Sequence, residues 1–349
     1  MKITLDSAQR FARDILTAQA VPADIADDVA EHLVESDRCG YISHGLSILP
    51  NYRRAIDGGS VNPDGRADCV LDKDTLMVFD GNGGFGQHVG KVVMARAIER
   101  VRQHGHCIVT LRKSHHLGRM GHYGEMVAAA GFVLLSFTNV INRPPVVAPY
   151  GGRVARLTTN PLCFAGPMPN GRPPLVVDIA TSAIAINKAR VLAEKGEPAP
   201  EHSIIDADGN PTTDASVMFG ERPGSLLPFG AHKGYALGVV AELLAGVLSG
   251  GGTIQPENPR AGVATNNLFA VLLNPQFDLG LNWERGEVEA FINYLHDTPT
   301  APGFDQVQYP GEYEAANRAA AATHLEINPN IWRNLETLAL SLGVAVPRE

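Results

Sequence analysis

Helical periodicity marks both ends of this chain and strand-type apolar runs are confined to its middle, an arrangement that limits the folds open to it. Ser7 is placed to cap a first helix with Phe11, Ile15 and Leu16 on one face. A second helix follows Pro22, spaces Ile25, Val29 and Leu33 four residues apart, and stops at Gly40. A third covers 46–57 and ends at Gly58-Gly59. At the far end 288–295, 313–321 and 331–342 read as helices. Strands are predicted between them at 75–79, 107–111, 132–137, 175–177 and 268–273. Helices are predicted over 89–103, 121–130, 182–193 and 233–248, and a polar loop over 198–213. The pattern implies a mixed α+β fold with a helical unit built from both termini.

With 349 residues, 44% of them hydrophobic and 19% charged, the chain can bury a large core. Its net charge of −8 argues against a nucleic-acid-binding surface. Cys39, Cys69, Cys107 and Cys163 form no Cys-x-x-Cys pair and read as reduced thiols. Lys2, Asp6 and Arg10 leave no apolar signal core at the start. The longest apolar segment, 235–248, carries Glu242 and is too short to cross a bilayer. A cytoplasmic protein with no membrane partner is the expectation.

The chemistry concentrates in Ser114-His115-His116-Leu117-Gly118-Arg119-Met120-Gly121-His122, directly after a strand. Imidazoles move protons at neutral pH, and glycines let backbone approach a ligand. His115, His116 and His122 could instead hold a metal, but adjacent histidines on an extended segment face opposite ways and no nearby acid or thiol completes the set. Ser43-His44-Gly45 stands at a helix start, with Ser43 as a cap or His44 as a general acid or base. No Gly-x-Ser-x-Gly elbow supports a nucleophilic serine.

Gly81-Asn82-Gly83-Gly84-Phe85-Gly86 matches a dinucleotide fingerprint between a strand and a helix. No complete Rossmann half precedes it and no strand-end carboxylate follows to hold a ribose, which favours a simple turn. Thr158-Thr159-Asn160-Pro161 is a polar turn. Asp178-Ile179-Ala180-Thr181-Ser182 joins a strand to a helix where amides can both cap and hold an anion. In His232-Lys233-Gly234 a lysine opposes the dipole at a helix start, which suggests an anionic partner.

As a series, these segments resemble the malate/L-lactate dehydrogenase-like family of NAD(P)-dependent oxidoreductases. Val147-Ala148-Pro149-Tyr150-Gly151-Gly152, Gly209-Asn210-Pro211-Thr212-Thr213, Tyr235 and Pro310-Gly311-Glu312 add to the likeness, which spans about residues 5 to 345. Within the family the chain looks most like the hydroxycarboxylate dehydrogenase branch, through Leu226-Leu227 and the segments around His116 and His232.

The resemblance implies a non-Rossmann, sulfolactate dehydrogenase-like fold with a mostly antiparallel cofactor-binding sheet, in a homodimer. Residues 1–115 together with 278–349 would form the helical, substrate and dimerisation domain, and 116–277 the NAD(P)-binding domain. The glycine run 81–86 then lies outside the cofactor site. Contacts to NAD or NADP fall on His44, Gly118, Arg119, Met120, Asp178, Ile179, Ala180, Thr181, Ser182, His232, Lys233, Asn267, Pro310, Gly311 and Glu312. His44, oriented by Ser43, supplies the proton, with His116 as the rival donor. Ile48, Tyr52, Thr159 and Asn160 meet the substrate.

Many relatives carry an arginine where this chain has Ile48. Its absence disfavours a short diacid and fits a bulky or aromatic 2-oxo acid, with Arg53, Arg119 or a backbone donor left to hold the carboxylate. Reduction of such an acid to its 2-hydroxy acid is therefore the expected activity. Cyclic imino acid (Δ1-piperideine- or pyrroline-2-carboxylate) reduction is the nearest alternative, weakened by Lys188 where some such reductases have an aspartate. A metal-dependent hydrolase using the histidine cluster and a non-catalytic scaffold are the alternatives of other classes.

Overall fold

The computed structural model describes residues 1–261, 264–276 and 281–347. Strand β1 (Lys2–Thr4) leads into α1 (Leu5–Thr17), α2 (Ala23–Arg38) and, after two 3-10 turns at Ile42–His44 and Leu46–Ile48, α3 (Leu49–Asp57). Then come β2 (Asp68–Lys73), β3 (Leu76–Asp80), α4 (Gly86–His104), β4 (His106–Ser114), α5 (Met120–Ala129) and β5 (Val133–Ile141). The middle continues with β6 (Leu162–Gly166), β7 (Leu175–Ile179), α6 (Ile186–Lys195) and the short strands β8 (Ile204–Ile205), β9 (Pro211–Thr212) and β10 (Ser225–Leu226). Helix α7 (His232–Ala241) passes into a π-helical turn at Glu242–Val247, followed by β11 (Thr265–Leu273) and α8 (Leu281–His296). The chain closes with α9 (Glu312–Ala320), β12 (His324–Glu326) and α10 (Pro329–Ser341).

Seven strands form the central sheet in the order β2-β3-β4-β11-β5-β6-β7. Every neighbouring pair is antiparallel except β3 and β4, which run parallel across the α4 crossover. The architecture is thus mixed α+β with a mostly antiparallel sheet.

The termini meet as the end-to-end helical pattern predicts. Strand β1 pairs with β12, and Phe11, Ile15, Leu33 and Leu49 share one core with Trp332, Leu335 and Leu338. A second core lies between the sheet and α4 with α5, joining Val93, Ile98, Leu111, Tyr123 and Leu268. A third sits under the small sheet of β8, β9 and β10. The expected domain division after residue 115 passes between β4 and the strand it pairs with along its length, β11, so one sheet joins the two expected units.

Some elements differ from expectation for local reasons. The predicted helix over 182–193 begins only at Ile186, because Ser182 is held extended by a bridge to Pro228. The loop expected over 198–213 contains β8 and β9. Strands β2 and β6 were not expected, since their apolar runs are broken by Asp, Gly and Ala. Cys69 is exposed, whereas Cys39, Cys107 and Cys163 are buried; all four are free thiols.

Candidate active site

The histidine segment leaves the sheet at the end of β4 and is fixed by close backbone packing. A Cβ on Gly86 would collide with the His116 carbonyl, and one on Gly81 would lie 3.1 Å from the Ser114 Cα. Gly84 likewise abuts the backbone of Gly65. The glycine run therefore receives the chain's own backbone, which is what its glycines are needed for here. Asn266 completes the clamp, its Oδ1 accepting from the Leu117 amide at 2.9 Å.

That packing brings the two expected proton-transfer histidines face to face. The rings of His44 and His116 are stacked, with centroids 5.6 Å apart. The Ser43 hydroxyl lies 3.0 Å from His44 Nδ1, and the Tyr52 hydroxyl 3.0 Å from His116 Nδ1. Gln87 donates its amide to the Tyr52 oxygen. Tyr52's own proton is then left for His116 Nδ1, which puts the imidazole proton on Nε2. Burial, with the Arg119 charge, lowers His44 to about 4. His116 is held well below its ordinary value by burial and then by the His44, His115 and Arg143 charges. Both rings are neutral near pH 7.

Asp37 shapes the turn that carries His44. Its Oδ2 accepts from the Leu46 amide at 2.8 Å, and its carboxyl occupies the space a side chain at Gly45 would fill. Burial raises it to about 7. Ile48 packs into the helical core and is 8% exposed. His115 packs edge-on against Tyr52 and Phe85, while His122 lies 4.3 Å from His32. The three cluster histidines thus diverge, and among the described residues no group of three or more His, Cys, Asp or Glu is placed to hold a metal ion.

Several of the segments expected to hold a dinucleotide are tied together by hydrogen bonds. Asp178 accepts from the Gly121 amide at 2.6 Å, which ties the Gly118–Arg119–Met120 turn to β7. The Val176 amide donates to the Pro310 carbonyl at 3.0 Å, and Gly311 (φ 113°) sits against the Pro174 carbonyl. Beyond Ile179 and Ala180, Thr181 bonds Thr159 and Phe229 through its backbone, which places Ser182 beside the start of α7. His232 and Lys233 are exposed there, so two cationic side-chain types stand at a helix N-terminus with no carboxylate paired to Lys233 among the described residues. Gly118 (φ 76°) is buried, its turn packed against His32 and Gln87.

Several expected contacts besides Ile48 and Tyr52 are directed inward. Arg119 is 1% exposed and ion-paired with Glu125, its guanidinium 5.5 Å from the Tyr41 ring centroid. Asn160 spends its amide on Glu242 at 2.7 Å and on the Gly238 carbonyl, while its oxygen accepts from Thr158 at 2.6 Å. Both amide protons of Asn267 go to Asn139 and the Gly252 carbonyl. Glu312 accepts from the Tyr309 amide at 2.9 Å and faces His296. Sequence reasoning gave no role to Gln87, Asp37 or Asn266: the contacts of Gln87 and Asn266 are distant in sequence, while Asp37 reaches Leu46 nine residues on, and only the position of Gln87, one residue after the glycine run, hinted at its part.

The sequence profile of the malate/L-lactate dehydrogenase family matches residues 3–336. An L-lactate dehydrogenase of Cupriavidus necator is 86% identical over 347 residues, covering 99% of each chain. Hydroxycarboxylate dehydrogenase B of Escherichia coli is 36% identical over 319 residues, covering 90% of this chain and 87% of its own. The solved sulfolactate dehydrogenase of Methanocaldococcus jannaschii superposes with a TM-score of 0.84 at 30% identity, over 99% of this chain and 98% of that one. The hydroxycarboxylate dehydrogenase likeness is thus present, at lower identity than the lactate dehydrogenase one. By sequence and by fold alike, the chain belongs to the malate/L-lactate dehydrogenase family.

Proposed function

We propose that the chain is an NAD(P)-dependent oxidoreductase that interconverts a 2-oxo monocarboxylic acid and its 2-hydroxy acid. The stacked His44–His116 pair, each ring with its own hydroxyl partner, carries this reading. A bound nicotinamide supplies or accepts the hydride at C2 of the acid. His44 takes the hydroxyl proton in oxidation and returns it in reduction, with Ser43 accepting from Nδ1 so that Nε2 is the basic atom. His116, with its Nε2 proton held in place by Tyr52, donates a hydrogen bond to the oxygen on which negative charge gathers. A His44 lowered to about 4 is already a free base at neutral pH, which suits oxidation of the hydroxy acid.

The relative named L-lactate dehydrogenase supports lactate and pyruvate as the pair to test first. Position 48, an isoleucine packed in the core, offers no cation to a second carboxylate, which favours a monocarboxylate over malate. The same missing charge favours a bulky or aromatic side chain on the acid as the second reading. An imino acid substrate finds no carboxylate at position 188, where Lys188 is exposed on α6.

A homodimer is part of the proposal. Val240, Leu243, Val247 and Leu248 form an apolar stripe along α7 and its π-helical extension, each between 39% and 57% exposed.

The deciding experiment follows NADH and NADPH oxidation with pyruvate, phenylpyruvate, oxaloacetate, glyoxylate and a cyclic imino acid. Turnover of the 2-oxo monocarboxylates ahead of oxaloacetate is expected. Preference for oxaloacetate or the imino acid discards the substrate class, and failure to bind either nucleotide discards the enzyme.

A further inference from the structure

Arg143 is a half-buried cation left unpaired among the described residues. Arg38, Arg100, Arg112, Arg119 and Arg318 are all at least two-thirds shielded from solvent, and each meets a carboxylate. Arg143 is also half-buried, yet it makes no ion pair or side-chain hydrogen bond among the described residues. Burial and the Arg190 charge both work against its ionised form. A desolvated guanidinium without an anion is costly, and a fold that keeps one gains when an anion arrives.

The sheet register says where that anion would sit. Strands β4 and β5 flank β11 and are both antiparallel to it, so they run in the same direction and end on the same edge. Ser114 of β4 and Val140 of β5 pair with the same residue, Asn266. His116 comes two residues after Ser114, and Arg143 two residues after the end of β5 at Ile141. Two strand spacings, about 10 Å, therefore separate the two exits. An extended arginine side chain is long enough to cover most of that gap, and the Arg143 charge is felt at His116.

We propose that Arg143 is the anchor of the substrate carboxylate, binding it bidentately and taking over the task that an arginine at position 48 would otherwise perform. This rests on the proposed 2-oxo acid chemistry, in which the carboxylate is bonded directly to the carbon whose oxygen meets His44 and His116. A carboxylate anchor must then reach those two rings, and the register starts Arg143 on the same sheet edge, about 10 Å from the exit of His116. The fork geometry matches a carboxylate better than a lysine ammonium does. In the same reading the cofactor phosphates go to the N-terminus of α7 with Lys233, away from Arg143 in the chain.

The test compares wild type, Arg143→Lys and Arg143→Ala with pyruvate and phenylpyruvate as varied acids, and measures NADH affinity separately by fluorescence titration. KM for the acid should rise on the order of a hundredfold in Arg143→Ala. Arg143→Lys should recover part of it, with NADH affinity within twofold of wild type throughout. An Arg143→Ala enzyme with unchanged KM overturns the assignment while leaving the 2-oxo acid reading intact, and so does a loss confined to NADH binding. A wild type that reduces no 2-oxo acid overturns the functional reading itself, and the anchor with it.

Discussion

The Tyr52 hydroxyl lies 3.0 Å from His116 Nδ1 while accepting a hydrogen bond from the Gln87 amide, so one phenol fixes the tautomer of a ring stacked on His44. Tyr52 is 2% exposed, and its hydroxyl has both of its partners inside the protein. Tyr52→Phe keeps the packing but frees His116 to carry its proton on either nitrogen. We expect kcat to fall roughly tenfold or more, below the 10²–10⁴ loss expected for His44→Ala. The buried Gln87 amide loses its acceptor, at a cost of about 1–3 kcal/mol in denaturant unfolding. Unchanged kcat in Tyr52→Phe would remove the tyrosine from the mechanism.

Gly86 offers a test of how the glycine run positions the site. A methyl group there meets the His116 carbonyl, which is backbone and cannot rotate away. Gly86→Ala should lower both Tm and kcat, because the segment bearing His116 must shift. Gly286→Ala, on the exposed face of α8 with nothing within 4 Å of its added Cβ, should be neutral or stabilise by up to about 1 kcal/mol. Full activity in Gly86→Ala would show that the backbone packing does not set the histidine's position.

The same contrast marks how far the sequence could be read. Periodicity located the helices of both termini because one face of each is a continuous apolar stripe, as in Phe11, Ile15 and Leu16. It also located the strands ending at Ser114 and Leu273, whose β-branched and leucine-rich runs are unbroken. Strand β6, reading Leu-Cys-Phe-Ala-Gly, carries no such run and is defined by its neighbours. At the site, His44 and His116 stood out by residue type, but their stacking depends on a chain crossing that no local pattern encodes. Arg143 was invisible for the same reason: its meaning comes from the lack of a paired carboxylate among the described residues and from the register of three strands.

Leu243 and Val247 are 53% and 57% exposed, four residues apart on one face of the α7 extension. Apolar side chains grouped in this way are costly in water and are covered when two subunits meet. The double variant Leu243→Asp, Val247→Asp should lower the mass measured by sedimentation equilibrium from that of a dimer to 37.2 kDa. A wild type that sediments as a monomer at micromolar concentration would leave the stripe without this role.

Stability should fall on the acid side of neutrality, and histidines set the sign. His32, His44, His115, His116 and His122 are all held below their ordinary value, first by burial. His44 and His115 are lowered to about 4. From pH 6.5 down to about 4 the unfolded chain takes up protons that the folded one refuses, so unfolding is favoured as pH falls. Asp37, Asp178 and Glu242 act in the opposite sense: burial raises the first two to about 7 and 6, and their contribution is lost as pH rises. His32 and His116, held well below their ordinary value, add to His44 and His115 and outweigh the carboxylates, so the free energy of unfolding should drop between pH 6.5 and 5. Urea titrations at those two values measure it directly. A flat or rising stability over that interval would mean that the folded protein accepts protons on these rings, and that the imidazole pair at the site is charged rather than neutral.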